Sequence, residues 1–109
     1  MENQEAGNLV SEFQHYQQQM QSLLMQKESF RVQVAEIERA LEELKSTNQK
    51  TAYKITGGIM VNKPVEDLKK ELDETKEAIE VRTKSLEKAE EKINLKLKEL
   101  QTKLKDMVK

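Results

Sequence analysis

Two long runs of apolar residues, spaced alternately by four and three, flank a short segment of strand-forming residues. In the first run, Lys27 interrupts the spacing at a position that calls for an apolar side chain. This spacing, held over five heptads, is typical of a coiled-coil helix and not of a strand or a globular core. The apolar positions are Leu9, Tyr16, Leu23, Phe30, Ile37 and Leu44 in one heptad series, and Phe13, Met20, Val34 and Leu41 in the other.

The second run keeps one heptad series without interruption, while its companion series is mixed. Toward the C-terminus, Leu97 and Leu104 replace the companion series one residue later in the heptad. A stripe that rotates in this way is expected of a helix with little supercoil. We therefore predict a second coiled-coil helix that is tightly supercoiled near its start and looser near its end. The unbroken series is Val65, Leu72, Ile79, Leu86, Ile93, Leu100 and Met107, and the companion positions are Leu68, Thr75, Arg82, Ala89, Lys96 and Lys103.

Residues 47–64 break the heptad pattern and carry β-branched and aromatic residues on both sides of a Gly-Gly pair at 57–58, which predicts a β-hairpin. A two-residue loop at the glycines would pair Ile55 with Met60 and divide the apolar residues between both faces. A three-residue loop beginning one residue earlier would pair Ile55 with Ile59 and make one face wholly apolar. Burial favours the three-residue loop, unless both faces are covered in an assembly.

Two helices of similar length around a short hairpin return the chain antiparallel. Charge agrees, because residues 1–13 contain acids and no bases, whereas residues 92–109 are rich in lysine. The predicted fold is mainly α: a long antiparallel two-helix coiled coil with a β-hairpin inserted between the helices. We expect one domain with an N-terminal helix at 1–46, a hairpin at 47–63 and a C-terminal helix at 64–109.

The predicted hairpin is the first candidate interaction site. A single hairpin is marginally stable in water, and its two unpaired edges invite further strands. We therefore expect the chain to form oligomers through its strands, with the coiled coils projecting from the assembly. The candidate residues for this contact are Tyr53, Ile55, Gly57, Gly58, Ile59, Met60 and Val61.

The second candidate site is a group of apolar residues at the far ends of both predicted helices. We call this group the tip cluster. Some of its members lie beside the seam, so an apolar patch at a fraying coiled-coil end is expected to bind exposed hydrophobic segments of another protein. Alternatively, these residues only close the seam or pack against a neighbouring helix pair. The tip cluster is Leu9, Val10, Phe13, Leu97, Leu100, Leu104, Met107 and Val108.

Composition excludes several classes of protein. Hydrophobic and charged residues each make up 36% of the chain and aromatic residues only 4%, too little bulk for an ordinary globular core. A net charge of −1 gives no reason to expect nucleic acid or a membrane surface as a partner. The sequence shows no signal peptide, no membrane span and no cysteine. We expect a cytoplasmic protein.

No group of residues predicts catalysis or a cofactor. One histidine, His15, without cysteine does not make a conventional zinc site. The carboxylates are spaced for exposed helix faces, where no pocket shifts their pKa. The Gly57–Gly58 pair lacks the other residues of a phosphate-binding loop. Lys27 is expected to set the register of the seam, with its stem packed and its ammonium reaching water. We predict no enzymatic activity, no metal and no cofactor.

Three segments resemble the β-type subunits of prefoldin: YKITGGIMVNKPVEDLKKEL at 53–72, QKESFRVQVAEIERALEEL at 26–44, and EVRTKSLEK at 80–88. The resemblance covers residues 12–109 and is closest to archaeal β subunits. It implies a hexamer of two α-type and four β-type subunits, with the hairpins assembled into β-barrels. The open coiled-coil tips would hold unfolded polypeptides and deliver them to a group II chaperonin without ATP.

Two other functions remain open from the residues alone. The competing function is that of a structural adaptor, a coiled-coil spacer that tethers two folded partners without holding unfolded chains. A monomeric bundle similar to tubulin cofactors fits less well, because it would not need the strands. The alternatives differ in whether the hairpins join in a larger ring and whether the tips bind non-native protein.

Overall fold

A computed structural model describes residues 2–108, with side chains described from residue 4. The chain forms helix α1 (Glu2–Ser46), strands β1 (Thr51–Thr56) and β2 (Ile59–Pro64), and helix α2 (Val65–Val108). The predicted fold class is confirmed, since two long helices precede and follow one two-stranded antiparallel sheet along the chain. The assembly of such hairpins into a barrel stays a prediction.

A proline and two acidic residues mark the start of helix α2 in the sequence. Pro64 is the last residue of β2, and Glu66 and Asp67 stand in the first helical turn, where the helix dipole favours acids. The N–H of Val65 donates to the carbonyl oxygen of Lys50 at 2.9 Å, which satisfies one of the N–H groups that a helix start leaves without a helical partner. This bond joins the first turn of α2 to the entry of the hairpin.

The chain divides into two compact units, which we name the hairpin unit (Phe30–Arg82) and the terminal unit (Met1–Ser29 with Thr83–Lys109). The core of the hairpin unit is apolar, and its buried side chains are Leu41, Val65, Leu68 and Ile79. Leu44 borders the same grooves as Val65 and Leu68, as predicted for antiparallel helices. Further from the hairpin, Glu38 and Lys76 form an ion pair at 3.3 Å.

The terminal unit has the same antiparallel arrangement. Leu23 and Leu100 are the buried apolar side chains among its described residues. Met20 and Leu97 line one groove, and Lys27 bonds Glu90 across the two helices. The ion pairs described near the end of α2 lie within that helix, where Glu99 pairs with both Lys96 and Lys103. Glu2 and Lys109, which contribute to the predicted charge asymmetry, lie outside the described side chains.

The seam of α1 matches its prediction at every heptad position. Each residue of both predicted series from Leu9 to Leu44 is buried or half-buried, and so is Lys27. The uninterrupted series of α2 is likewise buried or half-buried from Val65 to Leu100, although Met107 is exposed. Heptad spacing therefore identified the inward side of both helices.

The companion series of α2 is mixed, as the sequence indicated. Leu68 is buried and Ala89 and Lys96 are half-buried, but Thr75, Arg82 and Lys103 are exposed. The shift to the next heptad position, which was expected only near the C-terminus, begins already one heptad after Leu68. Two residues at that next position contact α1, since Lys76 pairs with Glu38 and Glu90 with Lys27. The half-buried residues one position later in the heptad are Lys76, Thr83, Glu90, Leu97 and Leu104.

The favoured three-residue hairpin loop is also wrong. Thr56 pairs with Ile59, so the loop contains only Gly57 and Gly58, with φ angles of +56° and +82°. A two-residue turn with both φ angles positive twists in the same sense as the strands it joins, and glycine adopts it without strain. Burial did not decide the register, because the apolar side chains of both hairpin faces remain exposed.

Candidate functional site

The hairpin exposes apolar side chains on two faces. Alternate residues point to opposite sides of a strand, so the pairing divides the hairpin into two sets. We name the first set the Tyr53 face: Thr51, Tyr53, Ile55, Met60, Asn62 and Pro64. We name the second set the Val61 face: Ala52, Lys54, Thr56, Ile59, Val61 and Lys63.

The Tyr53 face carries three large apolar side chains in open solvent. Tyr53 is 65% exposed, Ile55 74% and Met60 63%. Exposed apolar residues that stand together in this way are typical of a surface that another protein covers. The predicted residues Ile59 and Val61 are also exposed, but they lie on the opposite face.

Glu71 of α2 binds the two lysines of the Val61 face. Lys63 Nζ donates to Glu71 Oε1 at 2.6 Å, and Lys54 Nζ donates to Glu71 Oε2 at 3.3 Å. One carboxylate thus binds a lysine from each strand. The hydrogen bond from Lys63, followed by that from Lys54, lowers the pKa of Glu71 below its ordinary value. Nothing in the sequence marked this contact, because Glu71 stands among many helix acids.

An apolar groove of about 430 Å³ runs beside the base of the hairpin. Ala52 and Tyr53 of β1 line it together with Leu44 of α1 and with Leu68 and Leu72 of α2. The groove lies entirely in the hairpin unit. The two helices therefore partly cover the start of β1 at Ala52, whereas the rest of the strand toward the turn is exposed.

The tip cluster is only partly exposed. Leu100 is 2% exposed and belongs to the seam of the terminal unit, and Leu9, Phe13, Leu97 and Leu104 are half-buried. Three of its members offer an open apolar surface: Val10 is 44% exposed, Met107 39% and Val108 87%. The structure thus separates the cluster into side chains that close the seam and side chains that are free to contact another molecule.

Other exposed apolar residues were missed from the sequence. Leu24 shares the heptad position of the predicted Val10 on α1, and Met25 and Val32 share the next one. On α2, Val81 and Leu95 stand two heptads apart, both largely exposed. Repetition at a heptad position outside the seam was the signal for these residues.

Lys27 and Glu90 form a polar pair within the seam. Lys27 Nζ lies 2.9 Å from Glu90 Oε2, and the two side chains are 30% and 28% exposed. The hydrogen bond to Glu90, aided by the charges of Glu90 and Glu87, raises the pKa of Lys27 against the opposing effect of burial. The predicted polar seam residue therefore has a specific partner that the sequence did not identify.

The described part of the chain holds no cluster of three metal-binding side chains of the His, Cys, Asp or Glu type. His15 instead contacts its own helix, with its Nε2 3.1 Å from Gln19 Nε2 and its ring edge-on to Tyr16. Within residues 2–108, no helix has the length and apolarity that a membrane span requires.

The sequence profile described as "Prefoldin subunit" matches residues 7–109. The chain belongs to the prefoldin subunit family. It is 39% identical to the prefoldin subunit beta of Archaeoglobus fulgidus over 93% of its length and 88% of the relative's. It is 37% identical to the prefoldin subunit beta of Pyrococcus furiosus over 88% and 83% of the two chains.

A solved prefoldin structure has the same fold. The crystal structure of the prefoldin beta subunit from Thermococcus strain KS-1 superposes with a TM-score of 0.85 at 32% sequence identity, over 94% of this chain and 90% of that one. The resemblance to prefoldin that the sequence suggested is thereby confirmed. Prefoldin subunits are chaperone subunits, which is consistent with the prediction of no enzymatic activity.

Proposed function

We propose that this prefoldin subunit acts in an ATP-independent chaperone that holds unfolded polypeptides and passes them to a group II chaperonin. In this proposal it is the β-type subunit of a cytoplasmic hexamer with two α-type and four β-type chains. Its similarity to prefoldin β subunits along most of the chain is the observation that carries the proposal.

The exposed hairpin supports the assembly part of the proposal. Tyr53, Ile55 and Met60 on one face, with Ile59 on the other, form an apolar surface on a sheet of only two strands. Such a sheet gains stability when further strands cover its edges and faces. In the proposed hexamer, the hairpins of neighbouring subunits supply those strands and close into β-barrels.

The exposed members of the tip cluster support the client-binding part. Val10, Met107 and Val108 offer apolar side chains to an unfolded segment, and methionine adapts its shape to different contacts. Each such contact is weak. Several subunits in one particle hold their contacts at a high effective concentration, so a client bound to one tip binds the next more readily.

The first test is the native mass of a tagged copy purified from its source organism. We expect a particle with four copies of this chain and two copies of a second coiled-coil chain. A lone monomer or a simple dimer would contradict the proposed assembly and favour the structural adaptor.

A second experiment separates the chaperone from the adaptor. The purified particle is mixed with a chemically unfolded protein on dilution from denaturant, and light scattering reports aggregation. A chaperone suppresses aggregation of several unrelated unfolded proteins without ATP. An adaptor leaves the scattering of all of them unchanged.

Delivery to the chaperonin has its own measurement. A fluorescently labelled client is bound to the particle, and a group II chaperonin is added without ATP. We expect the label to move to the mass of the chaperonin on a native gel. A label that stays with the particle would contradict delivery while leaving the holding activity intact.

A further inference from the structure

The first half of α1 contains the longest stretch of the chain without a charged side chain. Residues 13–26 include no Asp, Glu, Lys or Arg, although these types make up 36% of the sequence. Glutamines occupy many of the exposed positions instead. The outer positions of a coiled-coil helix usually carry charges, so contact with water alone does not account for this stretch.

Four of these glutamines surround a groove of about 680 Å³ in the terminal unit. The glutamines are exposed, whereas the two apolar residues of the groove are half-buried. The groove thus has an apolar floor and a rim of side-chain amides, and none of its described lining residues is charged. We name it the amide groove: Gln14, Gln17, Gln18 and Gln21 at the rim, with Met20 of α1 and Leu97 of α2 at the floor.

The four rim amides are available to bond another molecule. Each one has a carbonyl oxygen that accepts and an NH₂ group that donates hydrogen bonds. Among the residues that the structure describes, these amides have no hydrogen-bond partner, whereas Gln19 on the other side of α1 lies 3.1 Å from His15. An extended polypeptide offers the matching groups, one N–H and one C=O for each residue other than proline.

Exposed apolar side chains lie at both ends of the amide groove along α1. Val10 precedes the groove, and Leu24 and Met25 follow it. The helix rises about 22 Å from Val10 to Met25, which is the length of about seven residues of extended chain. Val10 also belongs to the tip cluster, so the amide groove continues that cluster along the terminal unit.

This pattern fits an unfolded segment better than a folded partner. A further coiled-coil helix requires apolar residues spaced by three and four, but glutamines and Ser11 fill the outward positions between Val10 and Leu24. A charged surface would meet no opposite charge among the lining residues of the groove. An uncharged extended segment requires neither feature, because its backbone can bond the amides whatever its side chains are.

We propose that the amide groove binds the backbone of uncharged, extended segments of unfolded polypeptides. The glutamine amides donate to carbonyl oxygens of the segment and accept from its N–H groups, while Met20 and Leu97 contact one of its apolar side chains. This inference rests on the proposed function, because the bound segment is part of a client. It adds backbone hydrogen bonds and a preference for uncharged segments to the apolar contacts proposed for the tip cluster.

Replacing amides by methionine separates backbone recognition from apolar attraction. The combination of Gln14→Met and Gln21→Met keeps the length of both side chains but removes their hydrogen bonds. The probe is a dansyl-labelled peptide of three leucine-serine-glycine repeats with blocked ends, and fluorescence anisotropy measures its binding to the assembled particle. We expect the Kd to rise at least about fivefold, because two hydrogen bonds are lost. An equal or lower Kd would indicate apolar contact alone and overturn the proposal.

The combination of Gln19→Met and Gln26→Met is the matched control. These two glutamines are exposed and have the same spacing, but they lie on the other side of α1 and outside the amide groove. We expect the Kd of the control to stay within about twofold of the wild type. Circular dichroism and native mass should be unchanged in both pairs, because glutamine and methionine have similar helix propensities. A loss of affinity as large in the control as in the groove pair would contradict the proposal.

A modified probe tests recognition of the backbone directly. N-methylation of the three serine nitrogens removes backbone donors and leaves every side chain of the peptide unchanged. We expect this change to weaken binding to the wild-type particle, and to weaken it less for the variant with Gln14→Met and Gln21→Met, which lacks the accepting amides. The same loss in both particles would contradict hydrogen bonds between the groove and the backbone.

Photochemical cross-linking provides a second measurement that does not depend on affinity. The sequence contains no cysteine, so Gln21→Cys and Gln26→Cys each accept one benzophenone maleimide, at positions about 140° apart around the helix. After irradiation of the assembled particle, we expect the probe to be joined mainly to the chain labelled at Gln21→Cys. Equal labelling from both positions would overturn the proposal. A product of two chains from Gln21→Cys would do the same, since another subunit would then cover the groove.

Failure of this inference differs from failure of the proposed function. If the wild-type particle suppresses aggregation but does not bind the probe, or binds it without regard to Gln14 and Gln21, the amide groove is wrong and the holding activity remains. If the wild-type particle neither binds the probe nor suppresses aggregation, the proposed function itself is wrong.

Discussion

At the scale of single residues, two ionic contacts connect parts of the chain that are far apart in sequence. Glu71 reaches both strands of the hairpin, and Lys27 reaches Glu90 within the seam. Exposed ion pairs usually contribute little to stability. These two contacts matter for the alignment of elements, because each one favours a single alignment of two elements over shifted alignments.

Glu71→Gln is expected to loosen the hairpin from α2 while both helices remain folded. Glutamine keeps the size of the side chain but loses the charge that binds Lys54 and Lys63. The measurement is hydrogen exchange of the hairpin amides, which should become faster than in the wild type. Glu66→Gln is the control, since Glu66 pairs with Lys69 of its own helix. Equal exchange in Glu71→Gln and wild type would contradict the role of Glu71.

The same contact predicts a pH dependence. The pKa of Glu71 is lowered in the folded chain, so its stabilising effect is complete above the ordinary glutamate range and is lost as the pH falls through the lowered value. Hairpin NMR shifts in the wild type should follow this titration in acid. The Glu71→Gln variant should lack that step, and an identical step in both proteins would assign it to another group.

The Lys27–Glu90 pair is expected to respond to a charge exchange. Lys27→Glu places two carboxylates together in a half-buried seam position and should lower the melting temperature. Adding Glu90→Lys restores an opposite pair and should recover most of the loss. Thermal unfolding followed by circular dichroism measures both. If the double variant melts no higher than Lys27→Glu alone, the two side chains do not act as a pair.

At the scale of elements, the turn of the hairpin fixes the register of both strands. Gly57 and Gly58 occupy a backbone conformation that side chains disfavour, although nothing within 4 Å would obstruct an added Cβ. The preference for glycine is therefore conformational and not steric. The register that this turn sets determines which residues form the Tyr53 face.

Gly58→Ala is expected to destabilise the chain by about 1–2 kcal/mol, because alanine is strained at positive φ. Gly7→Ala is the matched control: Gly7 lies in α1 with nothing within 4 Å of its added Cβ, and the change should stabilise the helix by up to about 1 kcal/mol. Urea unfolding of both variants at one protein concentration measures the difference. Equal effects of the two substitutions would mean that the turn is not constrained as described.

At the scale of the whole molecule, the proposed function assigns assembly to the hairpin unit and client capture to the terminal unit. The hairpin unit carries the strand edges and the Tyr53 face, and the terminal unit carries the exposed members of the tip cluster. Assembly and client capture should therefore respond to different substitutions.

The combination of Val10→Ser and Val108→Ser is expected to weaken client capture but leave the particle mass unchanged. Burying a valine contributes on the order of 1.5 kcal/mol, so losing both contacts should lower the affinity at least about tenfold. Aggregation assays and native mass measure the two effects. Val81→Ser is the control, because Val81 is an exposed valine of α2 in the hairpin unit. Deletion of 1–8 and 104–109 should act in the same direction, and loss of assembly in either case would contradict the division.

The sequence by itself determined the fold class, the inward side of α1 and the uninterrupted series of α2. These features follow from heptad spacing, which is a local property of each helix and can be read without its partner. The Gly-Gly pair likewise located the hairpin. The apolar tip residues were found from their positions in and beside the seam, but the spacing did not distinguish the buried Leu100 from the exposed Met107 of the same series.

Only the tertiary structure decided how these elements meet. Thr75 and Lys76 are neighbours on α2, but Thr75 is exposed whereas Lys76 is half-buried and pairs with Glu38 of α1. The hairpin register depended on the twist of the turn and not on the burial of its side chains, which remain exposed in this chain. Glu71 stands apart from other helix acids only because folding brings Lys54 and Lys63 to it. Each of these results depends on residues distant in sequence, whose contacts the periodicity of one segment does not encode.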